Sequence, residues 1–314
     1  LDDCGSDTVG QPRSGGRRNR KVSGITILDG GMGQELLART GAKPTGLWAT
    51  QVMIDHPEAV SAVHDSFFAA GAEIATTNTY AIHRDRLEDV GLGDQFAALH
   101  TQALDMALAA RDSHGAGLVA ASLGPLGWSY RPDFAPPPEQ AAELYAEIVA
   151  LHAGADLLLI ETMSGVDQAK GALMGCAEAK IPVWLGLSVD DDDGTKLRSG
   201  EPLAEALPLL DQYNAAAVLV NCSRPEAVTQ ALPTLATQPR PFGAYANGFT
   251  GIASTFKKAM ASADLLSARQ DLDPTTYAEH ASEWVDLGAT IIGGCCEIGP
   301  AHIAELSRRF GGAR

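Results

Sequence analysis

The chain has 314 residues, of which 45% are hydrophobic and 20% are charged, a composition typical of a globular protein. Its 39 acidic residues against 23 basic ones give a formal net charge of −16. This charge argues against nucleic acid and anionic membranes as partners, because both would be repelled.

Residues 1–22 are polar, rich in glycine and locally basic, and they contain no apolar segment of the signal-peptide type. We therefore predict that 1–22 form a disordered extension and that 23–314 form one folded domain. No stretch approaches the roughly 20 apolar residues of a membrane span. Five widely spread cysteines, an odd number, do not form the pattern of a disulfide framework. We expect a cytoplasmic enzyme with reduced cysteines.

Eight short apolar runs follow the extension, and they alternate with helical patterns. The runs are apolar at nearly every residue, as expected for parallel strands that are buried on both faces. This alternation predicts a single-domain (β/α)8 TIM barrel, with a doubly wound open sheet as the alternative that strand counting leaves open. In chain order the predicted strands are 25–30, 73–80, 118–125, 157–163, 183–190, 217–223, 242–248 and 290–296.

Three of the predicted helices carry clear boundary signals. The first is capped by Asp55 and ends at Gly71, and the second ends at Gly154. The third begins at Pro300 and ends at Gly311. Residues 249–273 form an insertion before the last helix–strand pair.

Small polar clusters stand at the ends of the predicted strands. In chain order they read DGGMG, TNTY, SLGP, ETM, DDDDG, NCS and GGCC. Because the carboxyl ends of parallel strands build the active sites of α/β proteins, we expect these clusters to converge on one mouth.

Three cysteines belong to these clusters. Cys222 lies at the end of the sixth predicted strand, and Cys295 and Cys296 lie at the end of the eighth, so the three sulfurs could meet over the end of the seventh. Three thiolates around Zn²⁺ leave one tetrahedral position open, which suits a catalytic site. Gly293 and Gly294 would let the backbone turn sharply before the pair. A strained disulfide between the neighbouring cysteines, or simple core packing, is the alternative.

The clusters, taken in order, resemble the motifs of the homocysteine S-methyltransferase family. This family comprises zinc-dependent thiol methyltransferases, among them betaine–homocysteine and S-methylmethionine–homocysteine enzymes. The resemblance spans residues 25–310 and implies a (β/α)8 barrel, in agreement with the strand count. The matching segments are DGGMG at 29–33, TNTY at 77–80, SLGP at 122–125, ETM at 161–163, NCS at 221–223 and GGCC at 293–296.

The resemblance implies that Cys222, Cys295 and Cys296 bind zinc. A free thiol has a pKa of about 8.5, but a thiol that coordinates a metal is deprotonated. Homocysteine would therefore bind as a thiolate in the fourth position and attack a methyl group in line, giving methionine.

The resemblance also implies a binding site for the amino acid end of homocysteine. Asp29 and Gly30 match the turn whose backbone contacts the substrate carboxylate, and the Gly30–Gly31 amides could form an anion nest. Glu161 matches the carboxylate that holds the substrate ammonium. Asn221, in the NCS motif, is a further substrate-binding candidate.

The methyl donor is expected to be an onium compound, such as S-methylmethionine, S-adenosylmethionine or a betaine. Methyltetrahydrofolate would need folate and corrinoid modules for which the chain has no room. Onium cations favour aromatic faces, and segment 127–138 is a plausible donor-side loop. Departures from the family pattern at Gly31, Gln34, Glu297 and Ile298 remove no ligand and bear on the donor. The candidate aromatic residues are Trp48, Tyr80, Trp128 and Tyr130.

Two other functions remain open at this point. The barrel could hold a structural or redox cysteine cluster without methyl transfer, or it could methylate a different thiol or selenol acceptor. Among weaker signals, the four consecutive aspartates of 190–193 predict a solvated loop. Cys176, on an alanine-rich helix, is expected in the core, and His83 on the surface or behind the site.

Overall fold

A computed structural model describes residues 24–42, 47–252 and 266–312. The predicted extension at 1–22 and residues 253–265 of the predicted insertion lie outside these ranges. No helix in the described ranges is both long enough and apolar enough to cross a membrane.

All eight predicted strands are present and parallel. Each pairs with its neighbours in the order β1-β8-β7-β6-β5-β4-β3-β2. A parallel bridge between Leu28 and Ile74 joins the end of β1 to β2 and closes the ring. The closed (β/α)8 barrel is therefore confirmed, and the open sheet is excluded. The strands are β1 Thr26–Ile27, β2 Ile74–Thr76, β3 Leu118–Leu123, β4 Leu157–Met163, β5 Val183–Leu187, β6 Ala217–Asn221, β7 Phe242–Tyr245 and β8 Ile291–Ile292.

Helices occupy the intervals between the strands, together with short 3₁₀ turns at Gly93–Gln95, Pro132–Phe134 and Leu203–Ala206. The α-helices are α1 Met32–Thr40, α2 Ala49–Asp55, α3 Pro57–Ala69, α4 Arg84–Glu88, α5 Phe96–His114, α6 Pro138–Ala150, α7 Val166–Gly175, α8 Pro208–Gln212, α9 Pro225–Leu235, α10 Pro274–Asp286 and α11 Pro300–Phe310.

The predicted helix boundaries were right for α11 and for the end of α3, where Gly71 follows the capping residue Ala70, and wrong at two other places. Helix α11 begins at Pro300, and Gly311 follows its last residue, as predicted. Asp55 is not the cap of α3, because it ends the preceding helix α2 and His56 takes the cap position. Helix α6 ends at Ala150, before Gly154, since Leu151–Ala155 turn back toward β4.

Alternation along the strands separates two apolar layers. On β4, Leu157 and Leu159 belong to the cluster inside the barrel, whereas Leu158 and Ile160 belong to the larger cluster under the helices. Because side chains alternate along a strand, the next inward position on β4 is Glu161. The same period makes Asn221 the next inward position on β6 after Leu219. The barrel interior therefore changes from apolar to polar at its C-terminal mouth.

Tyr277 of α10 supports this mouth from outside. Its hydroxyl donates to the carbonyl of Gly293 (2.6 Å) and accepts from the amide of Ala246 (3.1 Å). These two backbone groups follow β8 and β7, so one buried hydroxyl joins the segments at the ends of two strands.

We predict that Tyr277→Phe lowers the free energy of unfolding by about 1–3 kcal/mol, because a buried amide and a buried carbonyl lose their partner. Denaturant unfolding measures the change. Tyr213→Phe is the matched control, since within the described ranges the Tyr213 hydroxyl accepts one bond, from its exposed neighbour Gln212. Equal losses in the two variants would contradict the role assigned to Tyr277.

Candidate metal centre and substrate site

The three predicted cysteines come together at the C-terminal mouth of the barrel. The thiol of Cys295 lies 2.8 Å from the sulfur of Cys222, and the sulfur of Cys296 lies 3.9 Å from that of Cys222. All three sulfurs lie within 4.8 Å of one another. Residues more than 70 positions apart in the chain are thus brought together because β6 and β8 flank β7 in the barrel.

The sulfur triad fits a tetrahedral zinc ion. Ligand sulfurs about 2.3 Å from such an ion lie about 3.8 Å apart, which matches the Cys222–Cys296 separation. The Cys222–Cys295 separation would have to widen by about 1 Å. Hydrogen bonds from Cys295 and Cys296 lower the pKa of Cys222, whereas the same contacts and burial raise the pKa of Cys295. The triad therefore favours a thiolate at Cys222 before any metal binds.

Gly293 and Gly294 are needed for a different reason from the one predicted. Neither has a left-handed backbone, so they do not provide a special turn. A Cβ on Gly293 would lie 2.5 Å from Cβ of Leu28, and one on Gly294 would lie 2.2 Å from Cγ2 of Ile298. The two glycines allow the chain before the cysteine pair to pack closely against β1 and the segment after the pair.

Glu161 lies at the inner end of β4, buried at the mouth. Its carboxylate accepts hydrogen bonds from the hydroxyls of Ser122 on β3 (2.5 Å) and Tyr245 on β7 (3.1 Å). Burial, with a smaller contribution from the nearby Cys222, raises the pKa of Glu161 to about 7, although the two hydroxyls act in the opposite direction.

Asp29 is a second buried carboxylate at the same mouth. It accepts bonds from the amide (2.7 Å) and hydroxyl (3.1 Å) of Thr76. Burial and the charge of Glu161 raise the pKa of Asp29, although Thr76 lowers it. Neither acid forms an ion pair within the described residues, so a ligand with an ammonium group would provide the missing positive charge.

The remaining predicted substrate residues are more constrained than expected. The Gly31 amide already donates to the carbonyl of Ile298 (2.9 Å), so a nest would have to rely on the Gly30 amide. Both ends of the Asn221 side-chain amide are used by Thr162, through its backbone amide and its hydroxyl, each at 2.9 Å. Asn221 therefore holds the ends of β4 and β6 together.

Sequence reasoning missed Arg198 and assigned Tyr130 to the donor side, whereas both residues contact Cys222. The Tyr130 hydroxyl lies 3.0 Å from the Cys222 sulfur, and Arg198 donates to the Cys222 carbonyl (3.1 Å). Asp191, which pairs with Arg198, belongs to the aspartate run predicted to be solvated, and for this residue the prediction was wrong. Asp191 was not recognised as a largely buried residue because it stands in a run of four aspartates, a pattern typical of solvated loops.

His83 is buried rather than on the surface. Cys176 is in the core as expected, and burial raises the pKa of its thiol to about 12.

Strained backbone is concentrated around the triad. Cys222 has a φ of 49°, Tyr130 and Thr162 have φ of 63°, and Glu297 has φ of 67°. Non-glycine residues in this left-handed region are uncommon and cluster at functional sites. Gln34 and Glu297, two of the departures from the family pattern, contact each other through a 2.5 Å hydrogen bond.

A cleft of about 820 Å³ opens beside Tyr130. It lies between the loops after β3, β4 and β5 and is lined by most of the predicted donor-side loop, including the prolines of 136–138. Asp167, Gln168 and Glu201 form its polar wall. Two arginines also line the cleft, but Arg198 is paired with Asp191 and Arg131 with Asp133. The acids Asp167 and Glu201 form no ion pair within the described part of the chain.

Comparison with known proteins gives one consistent result. The family model described as homocysteine S-methyltransferase matches residues 26–310. The homocysteine S-methyltransferase of Escherichia coli K12 is 30% identical over 307 residues, covering 91% of this chain and 95% of that protein. Homocysteine S-methyltransferase 1 of Arabidopsis thaliana is 28% identical over 319 residues, covering 92% and 94%.

Solved structures give the same result. The metallated form of the homocysteine methyltransferase MmuM from Escherichia coli matches with a TM-score of 0.75 and 28% identity. The match covers 91% of this chain and 96% of MmuM. The oxidized form of MmuM matches with a TM-score of 0.77.

The raised pKa of Glu161 predicts a pH dependence of stability in the metal-free protein. The carboxyl titrates near 7 when folded and at its ordinary value of 4.5 when unfolded, so the unfolded chain loses the proton first. The stabilisation from Glu161 is therefore complete below about pH 4.5 and is lost as the pH rises to about 7. We expect the free energy of unfolding of the wild type, minus that of Glu161→Gln, to fall between pH 5 and pH 8 in urea unfolding.

Glu139→Gln, on the exposed face of α6, is the control for the substitution itself. If wild type and Glu161→Gln changed in parallel with pH, the stated environment of Glu161 would be wrong.

Proposed function

This chain belongs to the homocysteine S-methyltransferase family, and from that premise we propose that it moves a methyl group from an onium donor to the thiol of L-homocysteine. The product is methionine, and the site is a zinc ion held by Cys222, Cys295 and Cys296. One observation carries the proposal: three cysteine sulfurs within 4.8 Å of one another at the barrel mouth.

The three sulfur ligands indicate which metal ion the site would bind and what that ion would do. Thiolates select zinc over harder cations, and three protein ligands leave a position for a substrate sulfur. When bound, zinc would supply a Lewis acid that keeps the homocysteine thiol deprotonated at neutral pH. The remaining tasks, binding and orienting both substrates, fall to the side chains and backbone of this chain.

Glu161 and Asp29 would bind the ammonium group of homocysteine. Both carboxyls are buried and close enough to repel each other, and burial disfavours their charged forms. An ammonium ion placed between them offsets both costs. The amide of Gly30, which has no partner among the described residues, would remain for the carboxylate. Fixing the amino acid end in this way orients the sulfur toward the methyl group.

The reaction then needs a good leaving group. The homocysteine sulfur forms a new S–C bond as the onium–carbon bond breaks, and the donor leaves as a neutral thioether or amine. The donor is therefore a cation, and the net charge of −16 favours its approach. No folate or corrinoid group is required.

The cleft beside Tyr130 supports a donor that carries its own amino acid end. Asp167 and Glu201 form no ion pair within the described residues, which suits an ammonium group. Gln168 lines the cleft, and its Nε2 donates to no group within the described ranges, which suits a carboxylate. A sulfonium amino acid such as S-methylmethionine fits these features better than a betaine, which has no N–H donor.

Zinc content tests the metal site. We expect about one zinc per chain in the reduced wild type and a loss of most of it in Cys222→Ser, because two thiolates hold zinc far more weakly than three. Metal analysis after dialysis measures the content. Cys176→Ser is the matched control and should keep its zinc, since Cys176 lies in the core away from the triad.

A wild type without zinc, in which Cys222 and Cys295 form a disulfide instead, would favour the redox alternative. The 2.8 Å separation of these sulfurs is the observation behind that alternative.

A donor panel with homocysteine as acceptor tests the reaction. We expect methionine from S-methylmethionine, less from a betaine, and none after treatment with a zinc chelator. A dimethyl alkyl sulfonium without amino and carboxyl groups should show a raised KM, because it cannot use Asp167, Gln168 and Glu201. Product is measured by chromatography and mass spectrometry.

The acceptor is varied in the same assay. Methylation of another thiol or of a selenol in preference to homocysteine would favour the alternative acceptor. An absence of methionine with every onium donor would contradict the proposed reaction.

A further inference from the structure

The aspartate run at 190–193 contains one residue that is not solvated. The Asp191 side chain is 13% exposed, and its carboxylate pairs with the Arg198 guanidinium at 2.9 Å and 3.3 Å. The Arg198 side chain is 1% exposed. Burying a charged pair lowers the free energy of unfolding unless its hydrogen bonds are complete. The burial of this pair therefore needs a structural or functional explanation.

Arg198 contacts the backbone of Cys222 directly and its sulfur indirectly, through Tyr130. It donates directly to the Cys222 carbonyl (3.1 Å) and to the hydroxyl of Ser188 (2.8 Å). Its guanidinium carbon also lies 4.7 Å from the centre of the Tyr130 ring. The hydroxyl of the same tyrosine lies 3.0 Å from the Cys222 sulfur. One guanidinium therefore holds the Cys222 backbone and supports the ring that contacts its sulfur.

Cys222 needs such support because its backbone is strained. Its φ of 49° lies in the left-handed region, where a Cβ is crowded. This conformation follows directly after β6 and directs the sulfur toward Cys295 and Cys296. Within the described residues the second donor to its carbonyl is the Ser188 hydroxyl, at a long 3.4 Å. Arg198 is thus the stronger restraint on the peptide that places the sulfur.

Asp191 connects the same restraint to two further loops. Its carboxylate also accepts from the amides of Arg224 (3.2 Å) and Ile252 (2.9 Å). Arg224 lies two residues after Cys222, and Ile252 lies in the segment after β7. Asp191 therefore joins the loops that follow β5, β6 and β7.

We infer that Asp191 and Arg198 are positioning residues for the metal centre. They hold Cys222 in its left-handed conformation, with its sulfur beside those of Cys295 and Cys296, before the ion binds. The inference rests on the proposed zinc site but concerns the affinity for metal, not the choice of donor or acceptor. Residues that orient metal ligands in this way typically contribute 10–100-fold to metal affinity.

Arg240 provides a matched control. Its side chain is 15% exposed, pairs with Asp211 and donates to the backbone carbonyls of Leu210 and Ala215. It therefore resembles Arg198 in ion pairing and in bonds to carbonyls, although its partner Asp211 is exposed. It precedes β7, at the opposite end of the barrel, where residues serve stability.

The experiment measures zinc affinity by competition with a chromophoric chelator in wild type, Arg198→Ala, Arg198→Lys and Arg240→Ala. We expect a 10–100-fold loss of affinity in Arg198→Ala and a smaller loss in Arg198→Lys, because an ammonium cannot bind all the guanidinium's partners at once. Arg240→Ala should lower the Tm but leave the zinc affinity within about twofold of wild type.

Cobalt substitution adds a readout that general destabilisation would not change. The thiolate-to-cobalt absorption of Arg198→Ala should weaken relative to wild type, since Cys222 no longer reaches the ion, whereas that of Arg240→Ala should not change. If Arg198→Ala does not fold, Arg198→Lys decides the outcome, because it keeps the bulk of the side chain.

Wild-type affinity in the Arg198 variants, or an equal loss in Arg240→Ala, would overturn the inference. A wild type that binds neither zinc nor cobalt would overturn the proposed zinc site and this inference with it. A wild type that binds zinc but transfers no methyl group would overturn the proposed function alone.

Discussion

The convergence of three sulfurs over the end of β7 is the constraint on which the rest of the mouth depends. Thiols brought this close repel one another once ionised, and a divalent cation is the simplest way to relieve that repulsion. The sulfur–sulfur separations of 2.8 Å and 3.9 Å from Cys222 therefore indicate a site that favours a bound cation. The fold creates it because parallel strands all end at the same face of a closed barrel.

Two buried acids extend the same principle a short distance away. Asp29 and Glu161 are bonded to hydroxyls and an amide but to no cation within the described residues. A protein that had been selected for stability alone would not keep two such carboxyls together at a mouth. Their burial is understandable if a substrate cation completes the site, and homocysteine carries one.

The backbone shows where the protein tolerates strain for function. Left-handed non-glycine residues cost of order 1–3 kcal/mol each, and four of them surround the candidate site. Two of the four are held by several hydrogen bonds from neighbours: Cys222 contacts Arg198, Tyr130 and Ser188, and Thr162 contacts Asn221. The rigid barrel beneath these loops provides the packing that keeps such residues in place.

The sequence pattern predicted the eight strands, the strand-end clusters and the three cysteines, and the family resemblance added the closed barrel. These features are local or periodic: apolar runs mark strands, and motifs stand at their ends.

Sequence-based prediction failed where the role of a residue depends on partners distant in the chain. The solvated reading of Asp191 was wrong because burial came from Arg198, Arg224 and Ile252, which no short-range pattern connects to it. Gly293 and Gly294 were assigned a turn, but the close approach of Leu28 and Ile298 explains them. Only the closed barrel decided these contacts, since burial and hydrogen-bond partners are properties of packed neighbours and not of the residue itself.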